Sequence, residues 1–573
     1  MSRLANIKIN LIVLAVILLL AGFLRGYGLT SHDLLTDDSL YSFRALGYFD
    51  YLAAGGQTTP IQWFGHIPWW ANLSFHDAPP LVFIIQKIFF LIFGDNTLAA
   101  RLPFFFAGLV SVAIMYFIFL ELFKKKWPSF LGATFFSFLA SNIWVSQVGY
   151  LEGFAIVFIS LSLLFFIKFI NSDKNSWLMW CGAAIGLALI TKYTTLFLIP
   201  TYLFYLVFFK REIFKQSRFY LSILISFIVF LPVGFYNLMV YQTRGHFDAA
   251  ISSMVGMHPQ DFSTISGRSI SINYWSNFSA IFKTLASLVS WPIMALFVLS
   301  LIYAVWCLTS RRNTNYFFLF FIGLIFLILE FIFIGASNRF LPIFNSFLVG
   351  IICLAFFDCW SLFASHKIKS FILLTLVGLM LGWELFYGIN FLAQGGINKN
   401  RFFYSVGLSE KSLGFNRLTD YFDKNILTED DRLVRPKKLS DVSDRAGEYI
   451  KEKRTIFLVD GSISWFAYMW YELKYPIYYG LPFVFIDQQQ FFTQQDFIQY
   501  LDNFEKIGAE NFYYIFAQDS SLVDSVKINN GSRENNQAVA SYLNNFSVSF
   551  DEIKNDRGFV AFRIYQFNLK TIN

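Results

Sequence analysis

Long apolar stretches fill the first two thirds of this 573-residue chain and limit the folds that it can adopt. A helix needs about 20 apolar residues to cross the roughly 30 Å of hydrocarbon in a bilayer. Stretches of about this length lie at 7–26, 100–123, 127–146, 151–170, 176–192, 193–209, 218–241, 287–309, 315–336, 339–358 and 369–392. The sequence therefore predicts an α-helical polytopic membrane protein with about eleven spanning helices, or twelve to thirteen as the upper alternative.

Composition supports the same class of protein. Hydrophobic residues make up 56% of the chain and charged residues only 14%, which is more apolar surface than a soluble domain can bury. The net charge of +7 comes from bases in short clusters between apolar stretches, so it does not indicate a nucleic-acid-binding protein. We expect a lipid bilayer as the surroundings and no nucleic acid as a partner.

The segment 79–94 decides the orientation of everything that follows it. It is short for a span and carries Lys87 in its middle. If it lies along the membrane as a juxtamembrane helix, the basic clusters at 124–126, 210–218 and 311–312 fall on the N-terminal side, as the positive-inside rule requires. If it crosses, all of them fall outside. We therefore expect a cytoplasmic N-terminus and a location in the cell inner or plasma membrane.

The last third of the chain has a different pattern. From about residue 396 the hydropathy falls and short apolar runs alternate with amphipathic segments. Strands are predicted at Thr455–Val459, Asn511–Phe516 and Phe559–Phe567, and helices at 462–473 and 493–506. We expect a membrane domain at 1–395, whose first extracytoplasmic loop is 27–99, and an extracytoplasmic α/β domain at 396–573.

Two acidic motifs lie in the first predicted loop. Asp37 and Asp38 follow the first span, and His76 and Asp77 precede Pro79-Pro80. Carboxylates this close to a bilayer need water, a metal or a cation beside them. A simpler interpretation of the acidic pair is the start of a surface helix, which the helix dipole favours. For His76-Asp77 it is a turn followed by a helix start.

Further charged residues collect at the outer ends of the predicted spans. They are Arg101, Glu152, Lys192 and Arg339. A carboxylate can deprotonate a hydroxyl group, and Lys and Arg can hold a phosphate and stabilise it as it departs. This division fits transfer from a lipid phosphate to a hydroxyl acceptor. In the alternative interpretation the bases are snorkelling interfacial residues and Glu152 is a helix cap.

These motifs resemble those of lipid-phosphate-sugar-dependent glycosyltransferases of the C-type membrane superfold, which include protein O-mannosyltransferases and lipid A aminoarabinose transferases. The acidic pair is similar to their Asp-Glu, and His76-Asp77-Ala78-Pro79-Pro80-Leu81 resembles their His-Pro-Pro-Leu or Lys-Pro-Pro-Leu element. Later elements of that family are matched by Ala100-Arg101-Leu102-Pro103, Glu152, Thr191-Lys192 and Asn338-Arg339-Phe340-Leu341-Pro342. The resemblance extends well over 1–200, over 201–395 in hydropathy only, and does not include the last third.

The resemblance implies a polyprenyl-phosphate sugar donor, an inverting displacement, and Asp37 as the base. We expect a hexosyl- or pentosyltransferase whose acceptor is a glycolipid, such as lipopolysaccharide, another glycan or a protein. Asp38 then orients the acceptor or supports Asp37. The acceptor or a metal is assigned to His76, Asp77 and Glu152, and the donor phosphate to Arg101, Lys192 and Arg339.

Three departures from the family pattern affect this assignment. Asp38 replaces the usual Glu, and Gln147 stands where many relatives place an Arg. Leu40 and Ala78 occupy positions where the aminoarabinose enzymes carry Arg and Lys near the donor phosphate. The donor phosphate must therefore rely on the three other bases, and the donor sugar need not be aminoarabinose.

We expect no required cofactor, since the basic side chains can neutralise the phosphate. The alternative is a divalent cation, because Asp38, His76, Asp77 and Glu152 could form a mixed nitrogen and oxygen site of the kind that magnesium or manganese tolerates.

Two other classes of function compete with a transferase. A transporter or lipid flippase usually carries inverted repeats and charge near the bilayer midplane, whereas this chain has no evident repeat and its strongest polar motifs lie at one interface. A non-catalytic scaffold would leave the acidic loop unexplained. Glu330 and Glu384 lie within predicted spans, but their neighbours indicate no chemistry, so neither is a candidate site residue.

Overall fold

The structure is a computed structural model that describes residues 2–47, 58–73, 78–172, 174–262, 273–310, 314–363, 366–394, 413–463, 469–486, 489–523 and 528–572. These residues form two compact units. The first unit contains the described residues within 1–29 and 73–404, and the second contains those within 30–54, 58–72 and 405–573.

The α-helices among the described residues are, in chain order, α1 (Ser2–Gly26), α2 (Asp37–Gly47), α3 (Pro60–Phe64), α4 (Leu81–Phe93), α5 (Thr97–Phe123), α6 (Lys126–Phe138), α7 (Ala140–Val145), α8 (Leu151–Ser172), α9 (Asn175–Leu189), α10 (Leu198–Phe209), α11 (Ser217–Arg244), α12 (Ala249–Met254), α13 (Tyr274–Leu288), α14 (Trp291–Thr309), α15 (Thr314–Ile334), α16 (Asn345–Phe363), α17 (Lys367–Gln394), α18 (Phe415–Asn425), α19 (Ser440–Lys453), α20 (Gln494–Glu505), α21 (Ser532–Asn545) and α22 (Leu569–Ile572). Helices α2, α3 and α18 to α22 belong to the second unit and the others to the first.

The first unit is built from apolar helices. Within the part of the chain that the structure describes, seven helical segments are long and apolar enough to cross a membrane, and they correspond to α5, α8, α11, α14, α15, α16 and α17. The predicted spans 7–26, 176–192 and 193–209 correspond to shorter apolar helices, as does the juxtamembrane segment 79–94, which forms α4. The predicted class, a multi-pass helical membrane protein, is confirmed.

The predicted span 127–146 is not one helix, because it breaks at Leu139 into α6 and α7. Side chains from two other helices satisfy the backbone groups that the break exposes. Arg25 of α1 donates to the carbonyl oxygen of Ser137 at 3.3 Å, and Glu384 of α17 accepts from the N–H of Ala140 at 3.0 Å. The break is therefore stabilised by a buried base at the end of α6 and a buried acid at the start of α7.

The second unit contains a five-stranded sheet. Its strands are β1 (Thr455–Val459), β2 (Phe483–Phe485), β3 (Asn511–Ala517), β4 (Phe550–Lys554) and β5 (Val560–Asn568). The order is β2-β1-β3-β5-β4, in which β1 runs parallel to β2 and β3, and β5 runs antiparallel to β3 and β4. The three strands expected from the sequence are present to within one residue at each end, which confirms the predicted α/β class.

Buried aromatic and aliphatic residues connect this sheet to its helices. Phe497 of α20 and Val539 of α21 are fully buried in one cluster with Phe512 of β3 and Phe567 of β5. The rings of Phe512 and Phe567 stack on adjacent strands, with their centroids 5.6 Å apart. Helix α20 matches the helix predicted at 493–506. In the helix predicted at 462–473, residues 464–468 are outside the described residues, and Met469–Leu473 is π-helical.

The compact units group the chain in a way that the sequence did not suggest. The predicted boundary between 1–395 and 396–573 lies in 395–412, outside the described residues. The first loop, 27–99, was expected to belong with the spans. In the structure, its described residues within 30–54 and 58–72 belong instead to the second unit, with the C-terminal residues.

Candidate functional site

The acidic pair opens α2 in the second unit. Thr36 precedes the helix with φ of 57°, a left-handed conformation that is rare for a β-branched residue. Asp37 and Asp38 occupy the first turn, where the positive end of the helix dipole stabilises a carboxylate. They are 8% and 1% exposed, so the second acid is enclosed and the first retains a small accessible area. The expected helix start is present, and it places two largely buried carboxylates side by side.

Helix α2 is held by the π-helical segments Met469–Leu473 and Tyr475–Tyr479 of the same unit. The Ser39 hydroxyl accepts from the backbone N–H of Trp470 at 3.1 Å. Tyr478 donates its hydroxyl to the carbonyl oxygen of Phe43 at 2.8 Å, and the two rings lie 5.1 Å apart. The position of the acidic pair is therefore set by residues more than 400 positions away in the sequence.

Asp33 makes a second connection between the loop and the C-terminal residues. Its carboxylate accepts from the backbone N–H groups of Leu413 at 2.6 Å, Phe415 at 3.3 Å and Asn416 at 2.8 Å. These groups lie at the N-terminus of α18, where backbone donors have no partners within the helix. Asp33 thus caps a helix that follows it by some 380 residues.

In the first unit the structure brings together three of the predicted site residues. Lys192 forms an ion pair with Glu152, and the side chains are 13% and 2% exposed. The Lys192 Nζ also lies 4.0 Å from the ring centroid of Phe340, and the guanidinium carbon of Arg339 lies 4.6 Å from the same centroid. An acid, two bases and an aromatic ring thus form one cluster.

The cluster is assembled from the ends of three helices. Glu152 is in the first turn of α8, and Lys192 is in extended conformation just after α9. Arg339 follows α15 and precedes the short 3-10 helix Leu341–Phe344. Polar side chains concentrated at helix ends, where each helix enters or leaves an apolar layer, are what a site for an amphiphilic substrate requires.

Glu330 lies near the same cluster, although no motif in the sequence singles it out. It lies near the C-terminal end of α15 and accepts a hydrogen bond from the backbone N–H of Phe197. A single acid in an apolar run carries no local motif. Only its intramembrane position, which often indicates a functional group, could have identified it.

Tyr193 connects Lys192 to the loop after α11. Its hydroxyl donates to the Asp248 carboxylate at 2.6 Å, and Asn237 of α11 donates to the same carboxylate oxygen at 2.9 Å. Asp248 is fully buried and also caps α12, so it fixes two elements at once. The residue next to Lys192 is therefore rigidly held.

Arg101 and Gln147 both donate hydrogen bonds to backbone carbonyl oxygens at the C-terminus of α1 or just after it. Arg101 is buried and donates from Nη1 to the carbonyl oxygen of Leu29 at 3.1 Å. Gln147 donates to the carbonyl oxygens of Arg25 and Tyr27, at 3.1 and 2.8 Å. The Gln147 amide thus caps the C-terminus of α1, which gives this residue a structural use.

The predicted metal ligands are divided by the structure. His76 and Asp77 are outside the described residues, Asp38 belongs to the second unit, and Glu152 belongs to the first. Among the residues with described positions, no three His, Cys, Asp or Glu side chains are grouped to hold a metal ion. Because two of the four candidates are not described, the metal hypothesis stays untested.

Two solved structures are similar to this fold. ArnT from Cupriavidus metallidurans in the apo state matches with a TM-score of 0.49 and 12% identity, over 100% of each chain. The Archaeoglobus fulgidus oligosaccharyltransferase tethered with an acceptor peptide matches with a TM-score of 0.49 and 13% identity, over 96% of this chain and 74% of that one. Both TM-scores are below 0.5.

A family model matches part of the first unit. Residues 77–236 match the dolichyl-phosphate-mannose-protein mannosyltransferase family. Over 209 residues the chain is 27% identical to YkcB of Bacillus subtilis (strain 168), a protein named as a mannosyltransferase. That alignment covers 34% of this chain and 26% of the relative, about a quarter of its length. The predicted resemblance is thus confirmed over 77–236, a segment that contains Arg101, Glu152 and Lys192.

Proposed function

We propose that this chain, whose residues 77–236 match a mannosyltransferase family, is a glycosyltransferase that uses a polyprenyl-phosphate sugar. It transfers one sugar to a hydroxyl group of a glycolipid, another glycan or a protein. The observation that carries the proposal is the pairing of Lys192 with Glu152 beside Arg339, since both paired residues lie in the matched segment and Arg339 extends the cluster. The family description favours a hexose, and a pentose is the alternative.

The proposed location is the cell inner or plasma membrane, with a cytoplasmic N-terminus and an extracytoplasmic second unit. The distribution of basic clusters between the apolar helices supports this orientation. A lipid-linked donor fits the setting, because its phosphate cannot leave the membrane and must meet the acceptor at the surface.

The proposed base is Asp37. Its carboxylate removes the proton of the acceptor hydroxyl while the acceptor oxygen attacks the anomeric carbon of the donor sugar. The bond between that carbon and the phosphate oxygen breaks, the electron pair leaves with the phosphate, and the anomeric configuration is inverted. Asp38, enclosed beside it, orients the acceptor or supports Asp37.

Arg101, Lys192 and Arg339 are the proposed ligands of the donor phosphate. Charge-assisted hydrogen bonds from such bases stabilise the negative charge that grows on the leaving oxygen. Lys192 already has an anionic partner in Glu152, so an incoming phosphate must compete with this carboxylate for the ammonium group. Glu152 therefore orients Lys192, in addition to the acceptor or metal role assigned to it with His76 and Asp77.

No metal is required in this proposal, because the basic side chains neutralise the phosphate. Activity is expected to survive chelation with EDTA. Complete loss of transfer in EDTA, restored by manganese or magnesium, would instead identify Asp38, His76, Asp77 and Glu152 as candidate metal ligands.

Transfer by the full-length protein in nanodiscs tests the function directly. Polyprenyl phosphates carrying radiolabelled hexoses or pentoses are incubated with a membrane glycolipid, a glycan or a peptide, and the labelled product is isolated. We expect covalent transfer with inverted configuration, as determined by NMR of the product. Absence of transfer across the whole donor panel, with movement of the lipid across the bilayer instead, would support the transporter or flippase alternative.

A further inference from the structure

The ring of Phe340 is the part of the cluster that both bases share. The Nζ of Lys192 lies 4.0 Å from the centroid of this ring, and the guanidinium carbon of Arg339 lies 4.6 Å from it. Both distances are within the roughly 6 Å at which the face of an aromatic ring attracts a cation. The fully buried Phe331 of α15 stacks with Phe340, with the ring centroids 6.5 Å apart. One aromatic ring thus contacts two positively charged groups.

The ring attracts both cations without adding a charge of its own. Like charges repel each other, and the repulsion is stronger in a water-poor environment. Glu152 offsets one of the two positive charges through its ion pair with Lys192. A second carboxylate could hold the other cation, but it would also repel an incoming phosphate. The uncharged ring of Phe340 keeps the two bases close together and does not oppose an anion in this way.

The ring also leaves the hydrogen-bond donors of the two bases for a ligand. An ammonium group has three N–H donors and a guanidinium group has five. The face of an aromatic ring is only a weak acceptor, whereas a phosphate oxygen is a strong one. A guanidinium that lies over a ring can still donate along its own plane, where a phosphate accepts two of its N–H groups at once.

We propose that Phe340 is a positioning residue that holds the ammonium of Lys192 and the guanidinium of Arg339 in place for one phosphate group. This inference rests on the proposed function. Because the two bases are arranged before the lipid arrives, less binding free energy is lost in ordering them. Phe340 therefore raises the affinity for a lipid phosphate and need not touch the phosphate itself.

Fluorinated phenylalanines at position 340 test the inference, because each ring fluorine weakens the attraction for a cation and changes the size of the ring little. Full-length protein with one, two or three ring fluorines at this position is placed in nanodiscs and titrated with undecaprenyl phosphate. We expect the Kd to rise with each fluorine, to roughly 3- to 30-fold above the wild-type value. Undecaprenol, which has the same chain and no phosphate, should bind to all of these proteins equally.

Phe340→Leu removes the ring and should weaken binding of undecaprenyl phosphate by a similar factor. If this variant cannot be recovered folded, the fluorinated series decides, since it keeps the shape of the side chain. A ring that served only for packing would give weaker binding in Phe340→Leu and an unchanged Kd throughout the fluorinated series.

The same fluorinated series at Phe331 is the matched control. This ring stacks with Phe340, and no Lys or Arg among the described residues lies over it. Without a cation over the ring, fluorination should leave the Kd for undecaprenyl phosphate within about twofold of the wild type.

The outcomes separate the two proposals. Wild-type protein that does not bind undecaprenyl phosphate contradicts the proposed function. Wild-type protein that binds it, with a Kd that does not rise with fluorination at Phe340 or rises equally with fluorination at Phe331, overturns only the role of Phe340.

Discussion

Asp37 is the residue on which the proposed chemistry depends most. It lies in the first turn of α2 and is 8% exposed. The neighbouring carboxylate, Asp38, is only 1% exposed. A helix start explains why an acid is tolerated at this position, but it does not require two adjacent acids with different exposure. A base that must reach a hydroxyl group while being shielded from bulk water would have this environment.

Replacing Asp37 with Asn is expected to reduce turnover by roughly 10²- to 10⁴-fold, because the amide keeps the shape and cannot accept the proton. Donor affinity should change little, since Asp37 is proposed to act on the acceptor hydroxyl and the donor phosphate is assigned to Arg101, Lys192 and Arg339. Transfer rates and donor binding are measured separately. Asp441→Asn, which changes an acid in the first turn of α19, is the control and should stay active. Normal turnover at saturating donor in Asp37→Asn would show that another group is the base.

Lys192 links stability and donor binding, so its replacement should affect both. Lys192→Met leaves the buried Glu152 carboxylate without its ion-pair partner, at a cost of about 3–5 kcal/mol in unfolding free energy. The double variant Lys192→Met, Glu152→Gln should recover much of this loss, because no buried charge remains. Donor affinity should stay weak in both variants. Thermal unfolding and lipid binding check these outcomes, and a double variant no more stable than the single one would contradict the buried-charge explanation.

At the scale of elements, the sequence predicts best what is encoded locally. Strands β1 and β3 are apolar runs and appear where the pattern places them, whereas the three-residue β2 and the largely exposed β4 carry no comparable signal. The break at Leu139 could not be predicted, because its caps come from Arg25 and Glu384, 112 and 244 residues away from the groups they bind. Glu330 could not be chosen either, because its hydrogen-bond donor, the N–H of Phe197, is more than 130 residues away in the sequence.

Glu384→Ala should loosen two helix starts together. Its carboxylate accepts from N–H groups at the beginning of α7 and just before α14, and loss of a cap typically costs about 1 kcal/mol each. We expect a lower Tm and faster deuterium exchange at 140–145 and 291–295. Glu121→Ala is the control, because it removes a partly exposed ion pair with Lys124, which contributes little. Faster exchange at only one of the two helix starts would show that the two caps act independently.

The loop after α11 should be sensitive to acid. Burial favours the neutral form of Asp261, but hydrogen bonds from Arg244 and His246 outweigh it and lower the pKa of this carboxyl below its usual range. Since the folded pKa is below the unfolded value of about 3.9, the stabilisation is complete above that pH and is lost as the pH falls through the folded pKa. Deuterium exchange at 245–262 should therefore rise only below about pH 4. Asp261→Asn should remove this dependence, and persistence of the dependence would indicate that another group titrates.

At the scale of the whole molecule, the division of the chain is not the one that hydropathy indicates. The order of charged motifs along the sequence allowed Glu152, Lys192 and Arg339 to be chosen together, and the structure places them in one cluster. Hydropathy could not show that the first loop belongs with the C-terminal residues, because the bonds that hold it, such as those of Asp33 and Ser39, involve single polar groups at long separation.

Asp33→Ala should therefore be detected far from its own position. It removes the acceptor for three N–H groups at the start of α18, a loss of about 1–2 kcal/mol in local stability. Deuterium exchange of the full chain should be faster at 415–418. Asp420→Ala, which changes an exposed acid on the same helix, is the control and should leave exchange there unchanged. Unaltered exchange in Asp33→Ala would show that α18 forms without this cap.

The bond between Ser39 and Trp470 joins groups that are 431 residues apart, and this has a consequence for biosynthesis. At a translation rate of about 5–20 residues per second, roughly 20–90 s pass between the two ends of that bond. During this interval α2 lacks the segments that hold it. A chain interrupted before residue 470 would insert its apolar helices but could not complete the surroundings of Asp37. Translation of the C-terminal residues therefore determines when the surroundings of Asp37 can form, and under the proposed function a chain that ends earlier is expected to be inactive.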